Sequence, residues 1–182
     1  MQNPSRKFSS EKIVAFTAII ISLCALVVSF YEVRIMRTQQ KASVWPYVTM
    51  GQQYSANGFA IETANKGIGP AKIESVKVWV KGKQVTELDE VLTAILGPDH
   101  GITYNDFGVG GINKTVLEPG YDNYLVRFNW TDKTRELQKN LYMINIEVVY
   151  SSILGDCWRL SLKEANQPCE CPKVDKKEQF FF

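Results

Sequence analysis

The chain has 182 residues, 45% of them hydrophobic and 22% charged, with formal net charge +2, which fits one modest domain plus a small appendage and not a collagen, a disordered chain or a multidomain enzyme. A mean hydropathy of −0.15 averages two unlike parts. Residues 1–41 hold Arg6, Lys7, Lys12, Arg34, Arg37 and Lys41 against Glu11 and Glu32, leaving the remainder slightly acidic, so a basic nucleic-acid binder is not expected.

After a short tail, 1–12, Ile13 to Phe30 reads IVAFTAIIISLCALVVSF without a charge. That run gives about 27 Å of helix, close to the hydrocarbon thickness of a bilayer. The pattern predicts a transmembrane helix over 13–31 in contact with lipid. The hydroxyls of Thr17, Ser22 and Ser29 can return to the helix's own carbonyls, and Phe30 and Tyr31 sit where interfacial aromatics are favoured. The apolar run exceeds the usual signal-peptide core and no A-x-A-like site follows it, so an uncleaved anchor is expected. Cys24 lies inside the span and reads as packing. Ala15, Ala18, Ser22 and Ala25 place small residues along part of one face, which leaves an oligomer open. Tyr31 to Ala42 contains neither Gly nor Pro, so the helix is expected to continue as a stalk over 32–43, and Pro46 marks where it has ended. Lys and Arg tie across the two flanks, so charge alone does not orient the span.

Past the stalk, 44–165 reads as a β domain. Val76, Val78 and Val80 alternate with Lys77 and Lys81. Tyr124, Val126, Phe128 and Trp130 take one face against Leu125, Arg127 and Asn129. Ile144, Ile146, Val148 and Tyr150 repeat the pattern, as do Trp158, Leu160 and Leu162 against Arg159, Ser161 and Lys163. This two-residue period marks half-buried strands. Weaker strands fit 44–51, 57–64, 102–107 and 113–117. Asn57-Gly58, Asn65 to Pro70, Lys81-Gly82-Lys83 and Glu118-Pro119-Gly120 supply turns. Two short helices interrupt the strands. One covers 87–96, with Leu88, Val91, Leu92 and Ile95 at helical spacing and Thr86 as its cap; the other covers 132–141, with Leu137 and Leu141. Both read as lids over the ends of the domain. Strands about ten residues apart, without βαβ alternation, predict a mainly β fold: an antiparallel β-sandwich with two short helices.

Chemistry is sparse. His100, the sole histidine, lies in Gly97-Pro98-Asp99-His100-Gly101 with no G-x-S-x-G elbow, and reads as a solvated turn residue that is also the only seed for catalysis. Asp89 and Glu90 read as the solvated face of a helix. Gly108-Val109-Gly110-Gly111 lacks the Lys-Ser/Thr of a phosphate loop and reads as a flexible connection. Asn113-Lys114-Thr115 and Asn129-Trp130-Thr131 match the glycosylation sequon at about the chance frequency. Neither a catalytic residue nor a cofactor or metal site is expected. In an oxidising compartment Cys157 can pair with Cys169 or Cys171, the third thiol staying free or linking chains. The alternatives are reduced thiols in a cytoplasmic domain, or a metal held by the three sulfurs with Asp156 or His100. Residues 166–182 form a charged tail ending in Phe180, Phe181 and Phe182. These aromatics and Trp79, on a polar-looking strand face, are candidate partner contacts; the rival readings are a frayed end tucked on the domain and a second packed layer.

Asn65-Lys66-Gly67-Ile68-Gly69-Pro70-Ala71 and Leu117-Glu118-Pro119-Gly120 resemble the punctuation of immunoglobulin- and fibronectin-like sandwiches. With the Arg37 to Pro46 junction and the Cys157-Trp158 pair, the chain is similar to a group of uncharacterised bacterial single-pass membrane proteins. The resemblance spans most of the chain and implies an anchor-plus-sandwich layout; none of its motifs is catalytic. The expectation is a non-enzymatic module tethered to the bacterial cytoplasmic membrane, with its domain in the periplasm. It would serve as an accessory or assembly subunit to a protein partner in the membrane or periplasm. A cell-surface enzyme using the His100 loop and a cytoplasm-facing scaffold are the rivals.

Overall fold

The computed structural model describes residues 10–112, 115–172 and 179–180. A single helix, α1, covers Ser10–Ser43, 34 residues, about 51 Å at 1.5 Å per residue. The expected span and stalk are thus one unbroken element. None of its residues is buried, and it is long and apolar enough to cross a membrane. The hydroxyls of Thr17 and Ser22 donate to the carbonyls of Ile13 and Ala18 at 2.9 Å, which masks them in an apolar setting.

The second compact unit begins at Ser43 and is mostly β. Its elements are β1 (Val48–Tyr54), β2 (Gly58–Asn65), β3 (Ala71–Val80), β4 (Lys83–Val85), α2 (Leu88–Leu96), β5 (Phe107–Val109), β6 (Val116–Leu117), β7 (Asp122–Asn129), α3 (Asp132–Lys139), a 3-10 turn at Leu141–Met143, β8 (Ile144–Ser151), β9 (Cys157–Ser161) and β10 (Gln167–Cys169). One sheet runs β1-β2-β7-β5. The other runs β10-β9-β8-β3-β4, with β6 also pairing β3. Every pair is antiparallel. Phe59, Ile61 and Phe128 from the first sheet join Val76, Val78, Ile146 and Val148 from the second, with Leu92 and Leu137 of the helices, in one buried cluster.

Strict alternation fails where a bulge intervenes. Ile61 pairs with Val126 but Glu62 pairs with Tyr124, so Leu125 is an extra residue in β7. Leu125 is therefore fully buried, against the expectation that it shares the outer face with Arg127. Tyr124 instead lies under the Arg127 guanidinium, 5.0 Å from its ring centre. Glu74 is the corresponding extra residue in β3 and accepts from the Ser151 hydroxyl at 2.7 Å and from Lys72 at 3.0 Å. An inserted residue shifts every following side chain by one face, which a period count does not register. The strand expected over 102–107 does not form: 102–106 is loop, and β5 begins at Phe107 and takes in Gly108 and Val109, which are expected in a flexible connection and instead pair with Arg127 and Val126 of β7. β6 lies within the expected 113–117, whose residues 113–114 fall outside the described set. β4 follows from Lys81 (φ 51°) and Gly82 (φ 81°), both left-handed as a two-residue type I′ hairpin requires. Thr86 does not cap α2: its N–H donates to the Glu90 carboxylate at 2.8 Å, and Glu87 occupies the cap position without a side-chain bond. In α3 the cap is a reciprocal pair, Thr131 with Thr134.

The Asn-x-Gly-x-Gly-Pro turn closes around one side chain. The Asn65 carboxamide accepts from Tyr47 N at 3.2 Å and Gly67 N at 3.1 Å, and donates to Gly69 O at 2.8 Å and Leu117 O at 3.0 Å. Asn65 is fully buried. A Cβ at Gly69 would overlap the Val44 carbonyl, so the chain entering the domain lies directly on this turn. Opposite, Gln179 and Phe180 fill the stretch of β3 edge between β6 and β4: Phe180 N donates to Val76 O at 2.9 Å and the Gln179 amide lies 3.5 Å from Glu74 O. Phe180 is a core residue, 1% exposed. Its ring leaves water inside its own domain, so the expected partner contact at Phe180 is corrected to packing. Phe181 and Phe182 lie outside the described residues.

Candidate functional site

The polar chemistry that the fold gathers lies around α2 and the loop returning from it. Leu88, Val91, Leu92 and Ile95 recur at helical spacing, with Val91 and Leu92 buried, so α2 packs one face on the core and turns Asp89 and Glu90 outward. Gly97 closes the helix by donating to Thr93 O at 2.9 Å. The short return brings His100 back beneath the first turn. Its Nε2 lies 3.2 Å from Asp89 Oδ1 and its Nδ1 accepts from Ile102 N at 3.1 Å. Since Nδ1 is the acceptor, Nε2 carries the proton shared with Asp89. The imidazole is 12% exposed and the Asp89 carboxylate 78%. The expected solvated turn residue is therefore a nearly buried pin, and its carboxylate partner is Asp89, not the adjacent Asp99.

Beyond His100 the chain turns on Asp106, whose carboxylate accepts from Thr103 N at 2.7 Å and Thr103 Oγ1 at 2.8 Å. These bonds hold the Asp106 carboxyl below the usual carboxylate range. The turn is fastened to β7 by Asn129, whose N donates to Asp106 O at 2.8 Å and whose amide donates to Asn105 O at 3.1 Å. It leaves Tyr104 90% exposed, with its ring 5.7 Å from that of Phe107. Between α2, this loop and β5 lies a cavity of about 650 Å³. Leu88, Leu92, Ile102 and Phe107 supply its apolar lining, and Glu87, Asp89 and His100 its polar side; neither Lys nor Arg lines it among the described residues. Its volume falls within the range of small-molecule clefts.

The cysteines form a second cluster. Cys157 and Cys171 are joined by a disulfide, with Cα atoms 5.4 Å apart, while Cys169 is free and half-buried. Burial pushes the Cys169 thiol up; the Arg159 charge opposes this and Glu147 adds to it. Trp79 is half-buried on the outer face of the second sheet, with Gln84 and Asn145 as its cross-strand partners. The structure brings neither Trp79 nor the cysteines to the α2 cavity. Among the described residues no group of three or more His, Cys, Asp and Glu side chains is placed to hold a metal ion. Sequence reasoning missed Asp89 as the His100 partner. The available signal was a first-turn carboxylate followed by a histidine in a short return loop.

Comparison with known proteins finds neither a family model nor a curated protein that matches the chain.

Proposed function

We propose that the chain is a single-pass membrane protein whose helix tethers a non-catalytic binding module, an accessory or assembly subunit that grips a protein partner. The observation that carries this reading is the cavity under α2: an apolar lining with two carboxylates and, among the described residues, no cation along it. That lining suits a partner segment with apolar side chains flanked by Lys or Arg. Both ring nitrogens of His100 are engaged inside the fold, which favours a structural pin over a general base. We take the two antiparallel sheets with their shared core as an immunoglobulin-like β-sandwich. A periplasmic placement on a bacterial cytoplasmic membrane agrees with the Cys157–Cys171 disulfide, a bond that persists in oxidising compartments.

The test uses the full chain in lipid nanodiscs and a fluorescent peptide of alternating Phe, Leu and Lys. The expected result is saturable binding that weakens about tenfold in Glu87→Lys, as a lost charge contact of about 1.4 kcal/mol requires, and that is absent for the same peptide with Glu in place of Lys. Equal binding of both peptides, or no effect of Glu87→Lys, would overturn the assignment.

A further inference from the structure

Three cysteines stand where one bond needs two. Cys157 is bonded to Cys171, yet its direct cross-strand partner in the β9–β10 ladder is Cys169. Directly opposed residues of an antiparallel pair project to the same side of the sheet with Cα atoms about 4.5–5.5 Å apart, inside the range a disulfide spans. Cys157, 5% exposed, thus has two candidate partners: Cys171, to which it is bonded at a Cα separation of 5.4 Å, and Cys169, directly opposite it in the ladder. Cys169 is held in the strand and half-buried, whereas Cys171 lies past the end of β10 and is exposed.

We propose that Cys157, Cys169 and Cys171 form a thiol–disulfide exchange site, in which Cys169 displaces Cys171 from Cys157 and the released Cys171 captures a disulfide-bearing partner. In the first step Cys169 loses its proton to solvent and its thiolate attacks Cys157 Sγ. The Cys157–Cys169 bond forms, the Cys157–Cys171 bond breaks, and the electron pair leaves on Cys171 Sγ; nothing is oxidised or reduced overall. In the second step the Cys171 thiolate attacks a disulfide of the partner, forming a mixed disulfide and expelling the partner's other sulfur as thiolate. The partner's disulfide is the oxidant. The exchange moves the internal bond from the segment after β10 into the β9–β10 ladder, so the domain stays stapled while its exposed sulfur carries the adduct.

The experiment uses the full chain with Cys24→Ser, incubated in nanodiscs at pH 8 with oxidised glutathione, quenched with acid and N-ethylmaleimide, and mapped by mass spectrometry without reduction. The expected result is glutathione on Cys171 in molecules that carry a Cys157–Cys169 bond, falling at least tenfold in Cys169→Ser. The variant Cys171→Ser should form the Cys157–Cys169 bond under the same conditions. Glutathione confined to Cys169 above an intact Cys157–Cys171 bond would overturn the proposal. So would a Cys171 adduct that persists in Cys169→Ser, or a Cys171→Ser variant that keeps both remaining thiols unbridged.

Discussion

Asn65 and His100 each tie a loop to the frame through one polar side chain, yet the two corners are finished differently. Around Asn65 every donor and acceptor of the carboxamide meets backbone, and the residue is fully buried. His100 is nearly as enclosed, but one of its two partners is a carboxylate left 78% exposed beside a cavity of about 650 Å³. The first corner fixes where the chain enters the domain. The second keeps polar atoms and apolar surface available, which is the condition a binding site needs and a purely structural corner does not.

The contrast is broken most severely at Asn65. Asn65→Ala leaves Tyr47 N, Gly67 N, Gly69 O and Leu117 O without their partner, and a buried group so stranded costs about 1–3 kcal/mol. Partial relaxation of the turn brings the expected loss to about 3–5 kcal/mol, read as a shift in the denaturant midpoint of the full chain at unchanged m. A loss under about 1 kcal/mol would show that this corner is no more closed than the other.

A smaller effect is expected where Tyr150 and Asn166 clasp the start of β1. The Tyr150 hydroxyl accepts from Val48 N at 3.4 Å and donates to Asn166 Oδ1 at 3.1 Å, while the Asn166 amide donates to Val48 O at 2.7 Å. Tyr150→Phe removes two of these bonds and is expected to cost about 1–2 kcal/mol at neutral pH. Burial pushes the Tyr150 phenol up to about 12 from its usual 10.0, against the opposing Val48 N–H bond. Because the folded value is the higher one, the neutral phenol favours the folded state fully below pH 10.0, and that contribution is lost as pH rises towards about 12. A phenyl ring has no proton to lose and therefore no such slope, so the gap between wild type and Tyr150→Phe is expected to narrow across that window. A constant gap in denaturant midpoints would place the phenol in water.

The long elements were legible because their signal is cumulative: Ile13 to Phe30 is apolar on every face, and Ile144 to Val148 alternates buried and half-buried before Val149, Tyr150 and Ser151 are buried together. What escapes depends on single residues. Leu125 and Glu74 each add one residue to a strand and reverse the faces beyond it. Phe180 joins the core across more than a hundred residues of chain through Val76, a contact that no local pattern encodes. The cysteines stand out as a set, but their pairing stays open in the sequence, since both candidates satisfy the spacing, and it is the fold that bonds Cys171 to Cys157. His100 stands out for being alone; that Asp89 faces it depends on how tightly Gly97 reverses the chain. Local periodicity thus reports layers, while the site rests on where two loops meet.

The mildest perturbation bears most directly on that site. In His100→Ala the Asp89 carboxylate is already 78% exposed and rehydrates without penalty, so the unpaired group is Ile102 N alone. The expected loss is about 1 kcal/mol, a drop in Tm of about 2–4 °C for a chain of this size. Peptide binding should weaken in the same variant, because Asp89 loses the imidazole that holds it at the cavity. A loss of about 3 kcal/mol or more would give His100 the weight of Asn65 and make the space under α2 an incidental gap in a structural corner. A small loss of stability together with a large loss of binding would separate the two roles, since a side chain that positions a ligand group need not carry the fold.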